Sequence, residues 1–163
     1  MTIRKTTMED LTTVMEIYDQ ARAYMRKTGN PDQWKENHPP KALIEQDIKA
    51  GTSYVCLSDG EIAAVFYFNI EEDPTYAKID GHWLDSELYG VVHRIARGSN
   101  GKGAAAFCME WCFAKHPNIR IDTHRNNTTM LALLERLGFT GCGIIWLANG
   151  EERLAFQKTD QKG

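Results

Sequence analysis

The sequence predicts a mixed α/β (α+β) architecture, a central mixed sheet with helices on its faces. Three observations lead there. Apolar residues recur at helical spacing in some stretches and in short, strand-like runs in others. Asp59-Gly60 joins two apolar runs as a hairpin turn. Val91 to Ala105 passes from β-branched residues through Gly98, Gly101 and Gly103 into a helix-forming run. Hairpins give antiparallel pairs, whereas a strand followed by a helix calls for a crossover, so both kinds of pairing are expected in one sheet.

Taken in order, Thr2 to Thr6 alternates weakly and reads as a first strand. Thr7, followed by Glu9 and Asp10, suits a helix start. Leu11, Val14, Ile17, Tyr18, Ala21 and Met25 then mark one face of a long helix ending near Gly29. Gly29-Asn30-Pro31-Asp32 breaks it, and a loop through Trp34 and His38 leads to a short helix carrying Leu43, Ile44 and Ile48. Ser53–Ser58 and Glu61–Ile70 are the hairpin strands. Thr75 to Glu87 reads as irregular, and Val91 to Ala96 as a covered strand. Ala104 to Lys115 is a helix stopped by His116-Pro117, and Asn118 to Asp122 is a strand. Asn126 and Asn127 cap a helix that runs to Leu137, with Gly138 as its stop. Gly141–Leu147 and Arg153–Gln157 are final strands around the turn Ala148-Asn149-Gly150, and Lys158 to Gly163 is a polar, frayed tail. The order β-α-α-β-β-β-α-β-α-β-β gives about seven strands and four helices, and 163 residues fit one domain spanning 1–163.

Composition narrows the function. The net charge of −3 carries no basic footprint for nucleic acid. No apolar run approaches the roughly 20 residues that span a bilayer, and Met1-Thr2-Ile3-Arg4-Lys5 lacks the apolar core of a secretion signal. Cys56, Cys108, Cys112 and Cys142 form no C-x-x-C pair and match no zinc framework, so no metal is expected. They read as small buried residues of a reducing compartment, and the expected location is cytoplasmic.

The glycine-rich turn is the strongest chemical signal. Glycines before a helix start let backbone N–H groups gather around an anion, and the unpaired N–H groups of the first helical turn add partial positive charge. Two known phosphate motifs fit poorly. A G-x-x-x-x-G-K-[ST] loop would need glycine at Ala96 and a hydroxyl at Gly103. A G-x-G-x-x-G fingerprint starting at Gly101 reaches Ala106, a position that sometimes tolerates alanine, but no acidic residue follows at the expected place unless Asp122 is forced into it.

Two stretches resemble the GNAT superfamily of acetyl-CoA-dependent N-acetyltransferases. Asn100-Gly101-Lys102-Gly103-Ala104-Ala105 is similar to that family's Gln/Arg-x-x-Gly-x-Gly/Ala turn, with Gly103 and Ala105 in place and Asn100 standing where Gln or Arg is usual. Asn127 to Phe139, ending Leu137-Gly138-Phe139, resembles the family's Asn-x-x-Ala-x-x-Leu-Tyr-Glu-Lys-Leu-Gly-Phe helix. The element order agrees along the whole chain. The resemblance implies a mostly antiparallel sheet splayed between its fourth and fifth strands, with coenzyme A in the opening. The pyrophosphate would meet backbone N–H groups of Asn100, Gly101, Lys102, Gly103, Ala104 and Ala105, with Arg97 and Lys102 adding charge. The pantetheine arm would pair with Ile95, Ala96 and Arg97, and Asn127 would bond from the other side.

The implied reaction moves an acetyl group from acetyl-CoA to a primary amine by direct attack in a ternary complex. It needs a base, a polarised carbonyl and a stabilised leaving thiolate. His93 is the first candidate base: regular alternation puts Val91, His93, Ile95 and Arg97 on one side, and imidazole titrates near neutrality. The same histidine also fits a hydrogen-bonded core residue, and more readily. His124 and Glu87 are lesser candidates. Leu134 stands where many members carry the tyrosine used as general acid. By analogy the acceptor, a small-molecule or peptide amine, would be lined by Tyr24 and Trp34, with His38 and Trp83 nearby. A homodimer through the C-terminal strands is a further expectation by analogy. The alternative reading is a non-catalytic acyl-CoA-binding or sensor module.

Overall fold

The computed structural model describes residues 1–160. Its strands are β1 (Thr2–Lys5), β2 (Ser53–Ser58), β3 (Glu61–Ile70), β4 (Asp80–Gly81), β5 (Gly90–Arg97), β6 (Asn118–Thr123), β7 (Thr140–Trp146) and β8 (Glu152–Thr159). The helices are α1 (Leu11–Lys27), α2 (Lys41–Ala50), α3 (Ala104–Lys115) and α4 (Thr128–Arg136), with short 3₁₀ turns at Met8–Asp10 and Pro74–Tyr76. The strands form one sheet in the order β1-β2-β3-β5-β6-β8-β7-β4. Only β5 and β6 run parallel; the other neighbours are antiparallel. None of the described helices is long and apolar enough to cross a membrane.

The near-continuous apolar run of β3 follows from burial on both faces. On one face Ala64, Phe66 and Phe68 join Val92, Ile119 and Ile121 beneath Cys108, Met109 and Cys112 of α3 and Leu134 of α4. On the other, Val55, Val65 and Ala96 pack against Leu11, Val14, Ile17 and Tyr18 of α1 and Ile44 of α2. Each large side chain buried this way contributes roughly 1.5–3 kcal/mol. All four cysteines are free and buried, and burial pushes the Cys108 and Cys112 thiols far up, which keeps them unreactive.

Three features depart from the sequence reading. The sheet has eight strands rather than seven, because Asp80–Gly81 pairs with Ile144 and Gly143 inside a segment read as irregular. The two backbones meet closely there: a Cβ on Gly143 would lie 2.0 Å from the Asp80 carbonyl oxygen, so only glycine fits. Second, Lys158 and Thr159 belong to β8 instead of a frayed tail, and residues 161–163 lie outside the described residues.

Third, β5 does not alternate regularly. Val65 pairs with Ala96 and Tyr67 with His93, so Phe66 faces both Arg94 and Ile95. This is a bulge, with Arg94 at φ 52°, a conformation rare outside glycine. The extra residue shifts the phase of the strand. His93 remains on the α1–α2 side, while Ile95 joins the core under α3 and Ala96 takes the α1–α2 side. Several bonds hold the unusual backbone: the Tyr18 hydroxyl donates to the Arg94 carbonyl at 2.8 Å, and the Arg94 Nη2 and Nε donate to Asp47 Oδ2 at 2.8 and 3.1 Å. Beyond the first two residues the strand leaves its parallel neighbour, since β5 pairs with β6 only at Gly90–Ile119 and Val91–Arg120. The expected splay is therefore present, between the strands labelled β5 and β6 here.

Candidate active site

Two cavities open on either side of this splay. The first, about 400 Å³, lies on the β8 side and is lined by Trp34, His38, Asp73, His93, Asp122 and Arg153, among others. The second, about 420 Å³, runs between α1, the start of α4 and the edge of β5, past Ile95, Ala96, Arg97 and Gly98. Met25, Ile95, Asn127 and Met130 line both, so the cavities meet at the bulge.

The glycine turn sits beyond the second cavity, between β5 and α3. Gly98 N–H donates to the Ala63 carbonyl, Gly101 N–H to Gly98 and Ala104 N–H to Gly101, at 2.9–3.0 Å. The N–H groups of Gly101 and Ala104 are thus used within the turn, which corrects the expectation that all of Asn100–Ala105 are open. Those of Asn100, Lys102, Gly103 and Ala105 have no hydrogen-bond partner among the described residues. Two glycines are fixed by geometry. Gly103 precedes α3 in the left-handed region at φ 80°, and a Cβ on Gly101 would lie 2.5 Å from the Ala63 carbonyl oxygen. Lys102 and Arg97 are exposed. On β5, the edge facing away from β3 pairs with no other strand among the described residues from Val92 onward, offering main-chain groups to an extended ligand. Open amides at a helix start, an open strand edge and a mostly apolar cleft suit a pyrophosphate followed by a pantetheine arm.

Asn127 has a structural role as well as a place at the junction. Its Oδ1 accepts from Met130 N at 3.1 Å, capping α4, and its Nδ2 donates to Gln33 Oε1 at 3.0 Å. Gln33 also receives Asn30 Nδ2 at 2.9 Å, which ties the loop after α1 to the start of α4.

In the first cavity, His93 pairs with Asp73 through Nε2 and Oδ2 at 2.7 Å. Burial pushes the Asp73 carboxyl up, but His93 and the hydroxyl and amide of Thr75 outweigh it and hold the carboxyl at about 2. Asp73 is therefore ionised at neutral pH and accepts a hydrogen bond from Nε2–H, while Nδ1 has no protein partner among the described residues. This histidine–carboxylate pair is not visible in the sequence, where Asp73 falls just past the strand Glu61–Ile70. The Tyr76 hydroxyl donates to Asp122 at 2.7 Å, and burial pushes the Asp122 carboxyl up. His38 is pushed down to about 4, first by burial and then by the Arg94 charge, so its ring is neutral at pH 7. Trp34 packs edge-on against Tyr18 and His38, forming part of the wall.

Other expected residues stand apart. Tyr24 lies along the second cavity, its hydroxyl 2.9 Å from Thr129 Oγ1, rather than with Trp34. The bulge puts Ile95 and His93 on opposite faces, contrary to regular alternation. His124 lies outside both cavities and accepts from Asn126 N through Nδ1 at 3.0 Å. Glu87 borders a separate cavity near Arg120, and Trp83 packs over Tyr76 and Arg120. Leu134 is fully buried in the core. Among the described residues, no three His, Cys, Asp or Glu side chains cluster as metal ligands would.

Comparison with known proteins agrees with this geometry. Residues 13–139 match the Acetyltransferase (GNAT) family. The solved structure of a GNAT family acetyltransferase from Streptococcus agalactiae is similar to this chain, with 33% identity, 99% of this chain and 96% of that one covered, and a TM-score of 0.89. A GNAT family acetyltransferase from Listeria monocytogenes shares the fold at 19% identity, covering 96% and 93% of the two chains, TM-score 0.69. So does a phosphinothricin acetyltransferase from Sinorhizobium meliloti solved with acetyl-CoA, at 15% identity, covering 99% and 90%, TM-score 0.66. None of the curated proteins matches the chain. The splayed sheet, the glycine turn before α3 and these matches lead to one assignment: the chain belongs to the GNAT acetyltransferase family.

Proposed function

We propose that the protein transfers an acetyl group from acetyl-CoA to the primary amine of a small acceptor, with His93 as general base. The observation that carries this reading is the meeting of the two cavities at the β5 bulge, with the His93–Asp73 pair on the acceptor side. Bound acetyl-CoA would supply the acyl group as an activated thioester. The N–H groups of Asn100, Lys102, Gly103 and Ala105 would hold the pyrophosphate, and the open edge at Ile95, Ala96 and Arg97 would align the arm. Asn127 stands at the junction and lines both cavities.

His93 Nδ1 would accept a proton from the attacking amine while Asp73 holds the ring in place and stabilises the charge it gains. An unpaired main-chain N–H of the β5 edge near Ile95 would polarise the acyl oxygen. The nitrogen–carbon bond forms as the carbon–sulfur bond breaks. The thiolate takes a proton from solvent as it leaves. Direct attack requires no acylated side chain.

The test measures thiol release from acetyl-CoA across a panel of primary amines, together with calorimetric binding of acetyl-CoA. Amine-dependent release that falls at least 100-fold in His93→Gln supports the reading. Binding without release on any amine contradicts it and supports a non-catalytic acyl-CoA-binding module.

A further inference from the structure

We propose that the acceptor is a small free amine that also carries a carboxylate, an amino-acid-like molecule, and that Arg153 anchors the acid group. This inference rests on the acetyl-transfer reading and specifies its substrate class.

Arg153 is a buried charge whose one carboxylate partner is shared with a second cation. Arg153 is only 5% exposed and lines the acceptor cavity. Its Nη1 donates to the Glu152 carbonyl at 2.8 Å and its Nη2 to the Gln33 carbonyl at 3.2 Å. Its Nη2 also donates to Glu151 Oε2 at 3.3 Å, the nearest carboxylate. Glu151 is one-third exposed and is held more closely by Lys35, at 2.8 Å. Two cations thus share one partly solvated carboxylate, and the more deeply buried of the two has the longer contact. Burying a guanidinium in this state is costly unless something else neutralises it. Its planar fork matches a carboxylate by two parallel hydrogen bonds.

The opposite wall has the reverse character. Asp73 is ionised beside His93, and Asp122 lies on the neighbouring strand. Asp122 pairs with Ala155, and Arg153 stands two residues from Ala155 on the same face of β8. Two residues along a strand span roughly 7 Å. The cavity therefore runs from an acidic, base-bearing end to a cationic end over the length of a small molecule. The two other cations that line it, Arg94 and Lys35, are paired with Asp47 and with Glu151, which lines it too. An amine placed at His93 brings a nearby carboxylate to Arg153. A simple alkylamine leaves Arg153 with only its share of Glu151, and so does the amine of a peptide whose carboxylate lies far along the chain.

The experiment compares three sets of acceptors with the full-length protein and acetyl-CoA: the free amino acids, their carboxamides and the corresponding decarboxylated amines. Thiol release is followed to give kcat/KM. The expected result is a preference of tenfold or more for at least one free acid over its carboxamide and its decarboxylated amine. Arg153→Gln should bring that ratio close to one, and Arg153→Lys should restore part of it. Retained acetyl-CoA binding by calorimetry shows that the variants are folded. If a carboxamide or decarboxylated amine is used as well as its acid, the carboxylate anchor is wrong while acetyl transfer stands. If no amine of any set releases thiol from bound acetyl-CoA, both readings fall. The wild-type comparison decides the matter even if an Arg153 variant does not fold.

Discussion

The two cavities that meet at the β5 bulge are built from different materials. The glycine turn and the open β5 edge present main-chain atoms: unpaired N–H groups at Asn100, Lys102, Gly103 and Ala105, and a strand edge that pairs with no other strand among the described residues from Val92 onward. The acceptor cavity presents side chains brought in from distant parts of the chain, among them His38, Asp73, His93, Asp122 and Arg153. A main-chain site depends on conformation and is insensitive to pH. A side-chain site depends on the identity and protonation of each group. That contrast predicts how each region fails.

The largest effect is expected in the main-chain region. Gly103→Glu would add a negative charge where phosphate oxygens are proposed to sit, at a φ of 80° that a side chain adopts only with strain. The strain costs about 1–2 kcal/mol, and the Cβ itself meets nothing closer than Met1 Cε at 3.9 Å, so the fold should survive. Calorimetry should show acetyl-CoA affinity reduced at least 100-fold. Unchanged affinity would move the phosphate site elsewhere.

Next comes the side-chain region. His93→Gln should lower kcat by about 10²–10³ and leave acetyl-CoA affinity within about threefold, because the proposed coenzyme contacts are main-chain. Equal losses in binding and turnover would erase the distinction between the regions. Asp73→Asn should cost less, roughly tenfold in kcat, because Asp73 acts through the ring. Nitrogen NMR of His93 supplies the readout that a merely structural role would not move. The Nε2–H tautomer should dominate in the wild type and lose that dominance in Asp73→Asn.

The third test uses pH. His38 is held neutral in the cavity at about 4, against roughly 6.5 when unfolded. Between those values the unfolded chain binds more protons than the folded one. This contribution is therefore complete above about pH 6.5 and is lost as pH falls toward 4. After solvent screening it should be on the order of 1–2 kcal/mol. Melting temperatures across that range should drop in the wild type and flatten in His38→Gln. The smallest effect is expected at Tyr24. Its bond to Thr129 is exposed and contributes about 0.5–1 kcal/mol at most, so Tyr24→Phe should change the acetyl-CoA KM by no more than a few-fold.

The same contrast explains what the sequence discloses. A main-chain site leaves a trace in residue identity, since Gly101 cannot carry a Cβ against the Ala63 carbonyl and Gly103 sits in the left-handed region. The Asn127 cap of α4 is legible for a similar reason, as a local side-chain-to-backbone bond at a helix start. Asp73 leaves no such trace. It lies twenty residues before His93, and only the turn at Pro74–Tyr76 and the course of β5 bring the two within 2.7 Å. The bulge is also silent, because an arginine at φ 52° has no local signature and is held there by Tyr18 and Asp47, both remote in sequence. Missing it, regular alternation sets Ile95 beside His93, whereas the folded strand places them on opposite faces. Arg153 reads as one more charge in a C-terminal strand until its burial and its shared carboxylate partner are seen together.

The central claim is that the acyl group is handed over where the two cavities meet. A crystal structure of the protein with coenzyme A tests it most directly. The pyrophosphate should lie on the open N–H groups between Asn100 and Ala105, and the sulfur should reach the junction of Ile95, Asn127 and Met130, facing the His93 side. A pyrophosphate away from that turn, or a sulfur that stops short of the junction, would contradict the account.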